Sequence, residues 1–270
     1  MSPIKFGRGV AIDGDTIVVG DGVHSCGGAS VFQRNEHGNW TEQARFEPDN
    51  CTAGRREIIF GFTALMIVAN FSSSLAPLPV LVPNFFNYGE SFDETHEYRV
   101  LATTGFGYCV AIDHTTEGTT VIIGAPLDST NGTHSGAAYV YNSVDHTSWE
   151  EEKFIASNAK PFDDFGWSVA INGDYAMVGG SIAKKGHAWL YMRTGSEWEE
   201  QPLIEPLNST TDIEREKIID EDYFGHSVDI ADKVAVIGTV GYTYLLKEDP
   251  PGTWTQMEDK LPAGLYWKSK

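Results

Sequence analysis

The chain has 270 residues, with 38 acidic against 19 basic side chains and a formal net charge of −19. That balance excludes a nucleic-acid or anionic-membrane surface as the main partner, because phosphate contacts need clustered Lys and Arg. A strongly charged surface keeps a chain soluble and draws in basic partners, and 41% hydrophobic residues supply the material for sizeable cores.

Block one opens at Phe6-Gly7. Its text Phe6-Gly7-Arg8-Gly9-Val10-Ala11-Ile12 predicts a short first strand, and Asp13-Gly14-Asp15 predicts a tight hairpin turn. Thr16-Ile17-Val18-Val19-Gly20 is a β-branched second strand ending in Gly. Gly28-Ala29-Ser30-Val31-Phe32 is a small-then-aromatic third strand, and Trp40-Thr41-Glu42 opens a half-solvated outer strand.

Block two begins at Phe60-Gly61 but runs straight into Leu65-Met66-Ile67-Val68-Ala69-Asn70 with no turn. It has no Trp, and Pro77, Pro79 and Pro83 fall in or beside its third strand, where proline removes ladder donors. A degenerate blade is expected here, with an insertion or unselected sequence as the alternatives. The eight apolar residues from Phe62 to Ala69 fall short of the ~20 that a membrane span needs. Met1-Ser2-Pro3-Ile4-Lys5 leads into the first repeat without an apolar signal segment.

Blocks three, four and five repeat block one. Phe106-Gly107-Tyr108-Cys109-Val110-Ala111-Ile112, Phe165-Gly166-Trp167-Ser168-Val169-Ala170-Ile171 and Phe224-Gly225-His226-Ser227-Val228-Asp229-Ile230 are the openings. Each is followed by a run ending in Gly124, Gly179 or Gly238, an aromatic third run, and a Trp at 149, 198 or 254. Asn172-Gly173-Asp174 repeats the tight turn, and residues 212–222 read as a long loop.

A repeat of ~45–60 residues signals a propeller, solenoid or array, and four strands per repeat make a propeller blade. The expectation is an all-β, five-bladed β-propeller of four-stranded antiparallel blades, the second degenerate. It forms one domain over 1–270, with blades near 6–50, 58–100, 106–156, 165–206 and 224–260. The small residues Gly9, Cys109, Ser168 and Ser227 fit a first strand that lies nearest the axis, where blades crowd.

The motif Phe-Gly-x-small-Val-Ala-Ile, the Asn/Asp-Gly-Asp turn and Gly124-Ala125-Pro126 resemble the FG-GAP repeats of integrin α-chain heads and many other extracellular proteins. The resemblance covers most of the chain. It implies a β-propeller, an extracellular or cell-surface location, and a non-catalytic binding or adhesion role toward a protein or glycan. Integrin-type repeats often carry an Asp-x-Asp-x-Asp-Gly calcium loop between the first two strands. Here that loop is a two-residue turn whose acids are too few for the six to eight oxygens calcium takes, so neither a metal nor a cofactor is expected.

Binding residues are expected on the loops that join second to third strands: Asp21, His24, Asp128, Asn131, His134, Lys184 and Lys185. His226 stands where the other blocks have Arg8, Tyr108 or Trp167, and a variable position within a repeat is a possible recognition position. The acid runs Asp163-Asp164 and Asp220-Glu221-Asp222 keep open a second reading, a glycan-active hydrolase with carboxylates at the propeller mouth. A third is a structural fragment of a larger extracellular protein. The sequence leaves the oligomeric state open.

Five sequons, at Asn39, Asn50, Asn70, Asn131 and Asn208, exceed chance. Glycosylation is expected at Asn39, Asn50, Asn131 and Asn208. Cys109 reads as a buried small residue, whereas Cys26 and Cys51 could pair in a secreted protein.

Overall fold

The computed structural model describes residues 7–21, 27–48, 104–180, 186–202, 204, 223–239 and 242–262. The chain divides into two units, residues 1–52 with 103–270, and residues 53–102. The second unit lies outside the described residues, and so does the blade expected at 58–100.

Sixteen strands among the described residues make four antiparallel sheets. Sheet one is β1 (Val10–Asp13), β2 (Thr16–Gly20), β3 (Ala29–Arg34) and β4 (Trp40–Phe46). Sheet two is β5 (Val110–Thr115), β6 (Gly118–Ala125), β7 (Ala137–Ser143) and β8 (Glu150–Phe154). Sheet three is β9 (Ser168–Asn172), β10 (Tyr175–Gly180), β11 (His187–Thr194) and β12 (Glu197–Glu200). Sheet four is β13 (Ser227–Ala231), β14 (Val234–Gly238), β15 (Tyr242–Glu248) and β16 (Trp254–Pro262). In every sheet the hydrogen-bonded order follows the chain order, as short turns between neighbouring strands require. No helix among the described residues is long and apolar enough to cross a membrane.

Strand alternation gives each sheet two packing faces. In sheet two the register aligns Val110 with Ile123 and Tyr139, and Ile112 with Val121 and Tyr141. That face packs on Val18, Val31 and Phe46 of sheet one in one core. The opposite face, with Ile122, Ala138 and Val140, meets Val169, Ile171, Val178 and Trp189 of sheet three. Met177 and Leu190 of sheet three then meet Ile230, Ile237 and Leu246 of sheet four. The first strands β1, β5, β9 and β13 lie side by side in that order, a propeller-like arrangement of blades. Blocks one and three of the sequence pattern, 10–46 and 110–154, therefore pack directly on each other as sheets one and two.

The repeated residues make the same contacts at each junction. Phe106, Phe165 and Phe224 are fully buried and meet Tyr139, Trp189 and Tyr244 edge-on at 5.0, 5.0 and 5.1 Å. Burying each ring contributes about 1.5–3 kcal/mol. Gly20, Gly124 and Gly179, at or next to the ends of their strands, abut the next block's backbone, where an added Cβ would overlap the carbonyl oxygens of Gly107, Gly166 and Gly225. The turn residues are stitched likewise: Asp13 accepts the His114 N–H (2.7 Å), Asp113 the Gly173 N–H (2.9 Å) and Asn172 the Asp232 N–H (2.9 Å). The turn residues Asp13, Asp113 and Asn172 thus join one blade's turn to the next.

The ends of the array differ from its middle. Val10 and Ile12 on sheet one are 67% and 65% exposed, whereas their counterparts Val110 and Ile171 are buried by the preceding sheet. On sheet four Asp229 replaces the alanines at 11, 111 and 170 and is exposed.

Candidate functional site

Each Phe-Gly turn folds onto the Gly that ends the second strand. The Gly20 carbonyl accepts the Gly7 and Arg8 N–H groups at 3.0 and 3.1 Å, and the Gly179 carbonyl accepts those of Gly166 and Trp167 at 3.2 and 3.0 Å. Gly124 accepts from Gly107 and Tyr108 in the same way. Since the second-to-third-strand loop leaves from that Gly, the residue after Phe-Gly and those loops share one end of the sheets. Gly7, Gly107, Gly166 and Gly225 all have positive φ, between 84° and 93°, which a side chain would strain.

Side-by-side first strands bring the residues after Phe-Gly into contact. The Arg8 guanidinium lies over the Tyr108 ring, 3.5 Å from its centroid. Tyr108 meets Trp167 at 4.6 Å, and Trp167 meets His226 at 6.1 Å. The four form one continuous ladder across four blades. Arg8 and His226 are exposed and the two central rings are half-buried, so an apolar and cationic surface faces out of an otherwise acidic chain. Burial raises the Tyr108 phenol's pKa, Arg8 opposes that, and Cys109 and Asp164 add to the rise.

Asp164 lies beside this ladder. It precedes Phe165 at a φ of 48°, and its carbonyl accepts the Trp167 N–H at 3.0 Å. The residue is 2% exposed, and its Oδ1 is buried without a hydrogen-bond partner. Burial, reinforced by Asp163, pushes its carboxyl up to about 7. Asp163 itself accepts the Lys160 N–H at 2.7 Å.

The expected loop residues divide. His134 belongs to this end: its carbonyl accepts the Asp164 N–H (3.1 Å) and its ring packs edge-on against Phe162. Burial lowers its pKa. Asn131 is exposed on the same loop. Asp128 is 3% exposed and turned inward, accepting the Thr130 N–H, the Tyr139 O–H and Lys153 Nζ at 2.8, 3.1 and 2.9 Å. Burial pushes its carboxyl upward, and the bonds from Thr130 and Lys153 outweigh that and hold it below the ordinary range. Asp21 pairs with Arg45 at 3.2 Å inside sheet one. His24, Lys184 and Lys185 lie outside the described residues, as do Cys26, Cys51, Asn50, Asn208 and residues 220–222. Cys109 donates its thiol to the Gly166 carbonyl at 3.2 Å, and burial pushes that thiol up to about 12.

A cleft of about 190 Å³ opens at the opposite end of the sheets, between the β5–β6 and β7–β8 turns and Arg193. Two of its charged groups are engaged internally: Arg193 binds Asp174, and Asp145 accepts from Thr147 and Ser148. The ladder is the better candidate, because among the described residues Arg8 has no carboxylate partner and Asp164 Oδ1 has no hydrogen-bond partner.

Residues 100–141 and 149–191 match the model of the FG-GAP repeat. Both segments are similar to FG-GAP repeats. The two matched segments hold Tyr108 and Trp167, the central rungs of the ladder. No curated protein matches the chain. Among solved structures it is similar to a protein from Lactobacillus plantarum, at 12% identity and a TM-score of 0.46 over 93% of this chain, and spans 56% of that protein's length. It is also similar to a bifunctional GH43-CE protein from Bacteroides eggerthii, at 11% identity and a TM-score of 0.39 over 94% of this chain and 28% of that one. A thermostable family-43 glycoside hydrolase aligns at 12% identity and a TM-score of 0.33, over 98% of this chain and 95% of the hydrolase.

The residue after Phe-Gly varies between the blocks, and the chain order alone does not join the four copies. The signal was present in the repeat alignment: Arg, Tyr, Trp and His share a capacity for π or cation–π contact, and equivalent positions on adjacent first strands are neighbours in a propeller.

Proposed function

We propose that the chain is a non-catalytic, extracellular binding module of β-propeller blades that takes a protein or glycan ligand on the face bearing the Phe-Gly turns. The continuous ladder Arg8–Tyr108–Trp167–His226 carries this reading. A partly exposed row of aromatic and cationic groups is what interface anchors are made of. The exposed sequon residues Asn39 and Asn131 support an extracellular setting. A five-blade count requires one sheet beyond the four described.

The test is a screen of the immobilised chain against glycans and extracellular proteins, run beside a Trp167→Ala, His226→Ala double variant. Ligands retained by the wild type and lost by the variant support the reading. Equal retention removes the ladder from it.

A glycan-active hydrolase is the second reading, favoured by one observation: Asp164, held near 7, is the kind of carboxyl that can act as a general acid. Such an enzyme needs a second carboxylate across a cleft, and neighbouring Asp163 is tied to the Lys160 N–H. Release of a reducing sugar that Asp164→Asn abolishes would establish it.

A further inference from the structure

Resting on the binding reading above, we infer that the ladder's ligand is a hydroxylated ring, a sugar unit, with its C–H face on Trp167 and its hydroxyls shared between Arg8 and Asp164. Three observations select this chemistry over a basic or an acidic peptide. First, the cation slot of the ladder is already filled, because the chain's own Arg8 guanidinium covers Tyr108 at 3.5 Å. A second cation brought to the neighbouring ring would meet that charge.

Second, Arg8 is exposed and has no carboxylate partner among the described residues, in a chain of net charge −19. One of its N–H groups serves the Tyr108 phenol, the rest of its five can donate to ligand oxygens, and the charge of the whole chain disfavours an acidic peptide.

Third, Asp164 is a nearly buried carboxyl whose Oδ1 has no partner. An orphaned acceptor of this kind costs free energy until something donates to it. Held near 7, the group both donates and accepts around neutral pH, and a neutral hydroxyl suits both forms. The titratable and charged groups around it are Asp163 on the same turn, Tyr108 and Arg8 from the preceding blades, His134 on the loop bonded to its N–H, and His226 beyond Trp167. A ring with one apolar face and hydroxyls at its edge matches aromatic rungs flanked by a donor and an acceptor.

The experiment uses the full chain at pH 7, with methyl hexosides, methyl N-acetylhexosaminides and pentaglutamate as probes, read by saturation-transfer NMR and calorimetry. The expected result is transfer to ring C–H protons of at least one sugar. Affinity for that sugar falls about tenfold or more in Trp167→Ala and severalfold in the surface variant Arg8→Ala. Affinity for that sugar also falls severalfold in Asp164→Ala, which removes the acceptor. Circular dichroism of each variant separates lost binding from lost fold. Absence of a Trp167-dependent sugar signal overturns the inference. If pentaglutamate binds through Arg8 instead, the sugar assignment falls while the ladder remains a binding face. If the broader screen also finds nothing that depends on the ladder, both readings fall together.

Discussion

Ser168 donates its hydroxyl to the carbonyl of Gly225 at 2.8 Å, and so ties the first strand of one blade to the Phe-Gly turn of the next. Cys109 makes the same contact with Gly166 one junction earlier. The small residue of Phe-Gly-x-small therefore does more than fit a crowded space: it satisfies a buried carbonyl across the blade junction. Ser168→Ala is expected to cost about 1 kcal/mol, a fall of about 2–4 °C in the melting temperature. Cys109→Ser keeps a donor and is expected to cost less than half of that. Paired thermal melts check the order.

Gly179 tests how closely the blades approach. An alanine Cβ there overlaps the Gly225 carbonyl oxygen and crowds Ser168 Oγ, both held by the junction. Gly179→Ala is expected to cost more than about 3 kcal/mol. Gly195→Ala is its control, with φ at 68° and nothing within 4 Å, and the backbone penalty alone is about 1 kcal/mol. Denaturant midpoints of the two variants distinguish steric overlap from backbone strain.

Asp128 is a structural acceptor, and its removal leaves Lys153 and the Tyr139 hydroxyl without it. Asp128→Ala is expected to destabilise by about 3 kcal/mol, in the range for breaking a buried pair. Because the folded carboxyl sits below its unfolded value, its stabilisation is full above about pH 4 and fades as the pH drops through the folded value. The advantage of the wild type over Asp128→Asn is therefore largest at neutral pH and shrinks as the pH falls through the folded value, which melts at pH 7 and at a series of acid pH values would show.

Asp164 has the opposite sign. Its folded pKa lies above the unfolded one, so between about pH 4 and pH 7 the folded state binds more protons and stability falls as the pH rises. Asp164→Asn removes a carboxylate buried without a partner at Oδ1, and Asn tolerates the positive φ. The variant is expected to melt about 2–4 °C higher at pH 8 and level with the wild type at pH 4. A lower melting temperature at pH 8 would show that the charge is satisfied.

How far the molecule was legible depended on whether a feature repeats. Phe106, Phe165 and Phe224 recur with their glycines, so periodicity alone located the turns, and the alternating runs located the strands. The loop residues do not repeat, and sequence gave them only a shared polarity. That is why Asp128, which turns into sheet two, stood beside exposed Asn131 in the same expected set. Block two lacks the turn and the Trp of its siblings, and the direct packing of 10–46 on 110–154 could not be read from chain order.

By itself the sequence determined local geometry. Glycine at positive φ, tight Asp-Gly and Asn-Gly turns and β-branched alternation are consequences of backbone sterics and side-chain period, which act within a few residues. Only the tertiary structure decided which side chains meet across blades. Arg8, Tyr108, Trp167 and His226 lie about 60 residues or more apart in the chain, and become a single ladder because side-by-side first strands bring equivalent positions together. The protonation of Asp164 is likewise a tertiary fact, since it depends on the water removed from its carboxyl and on the charge of Asp163 beside it.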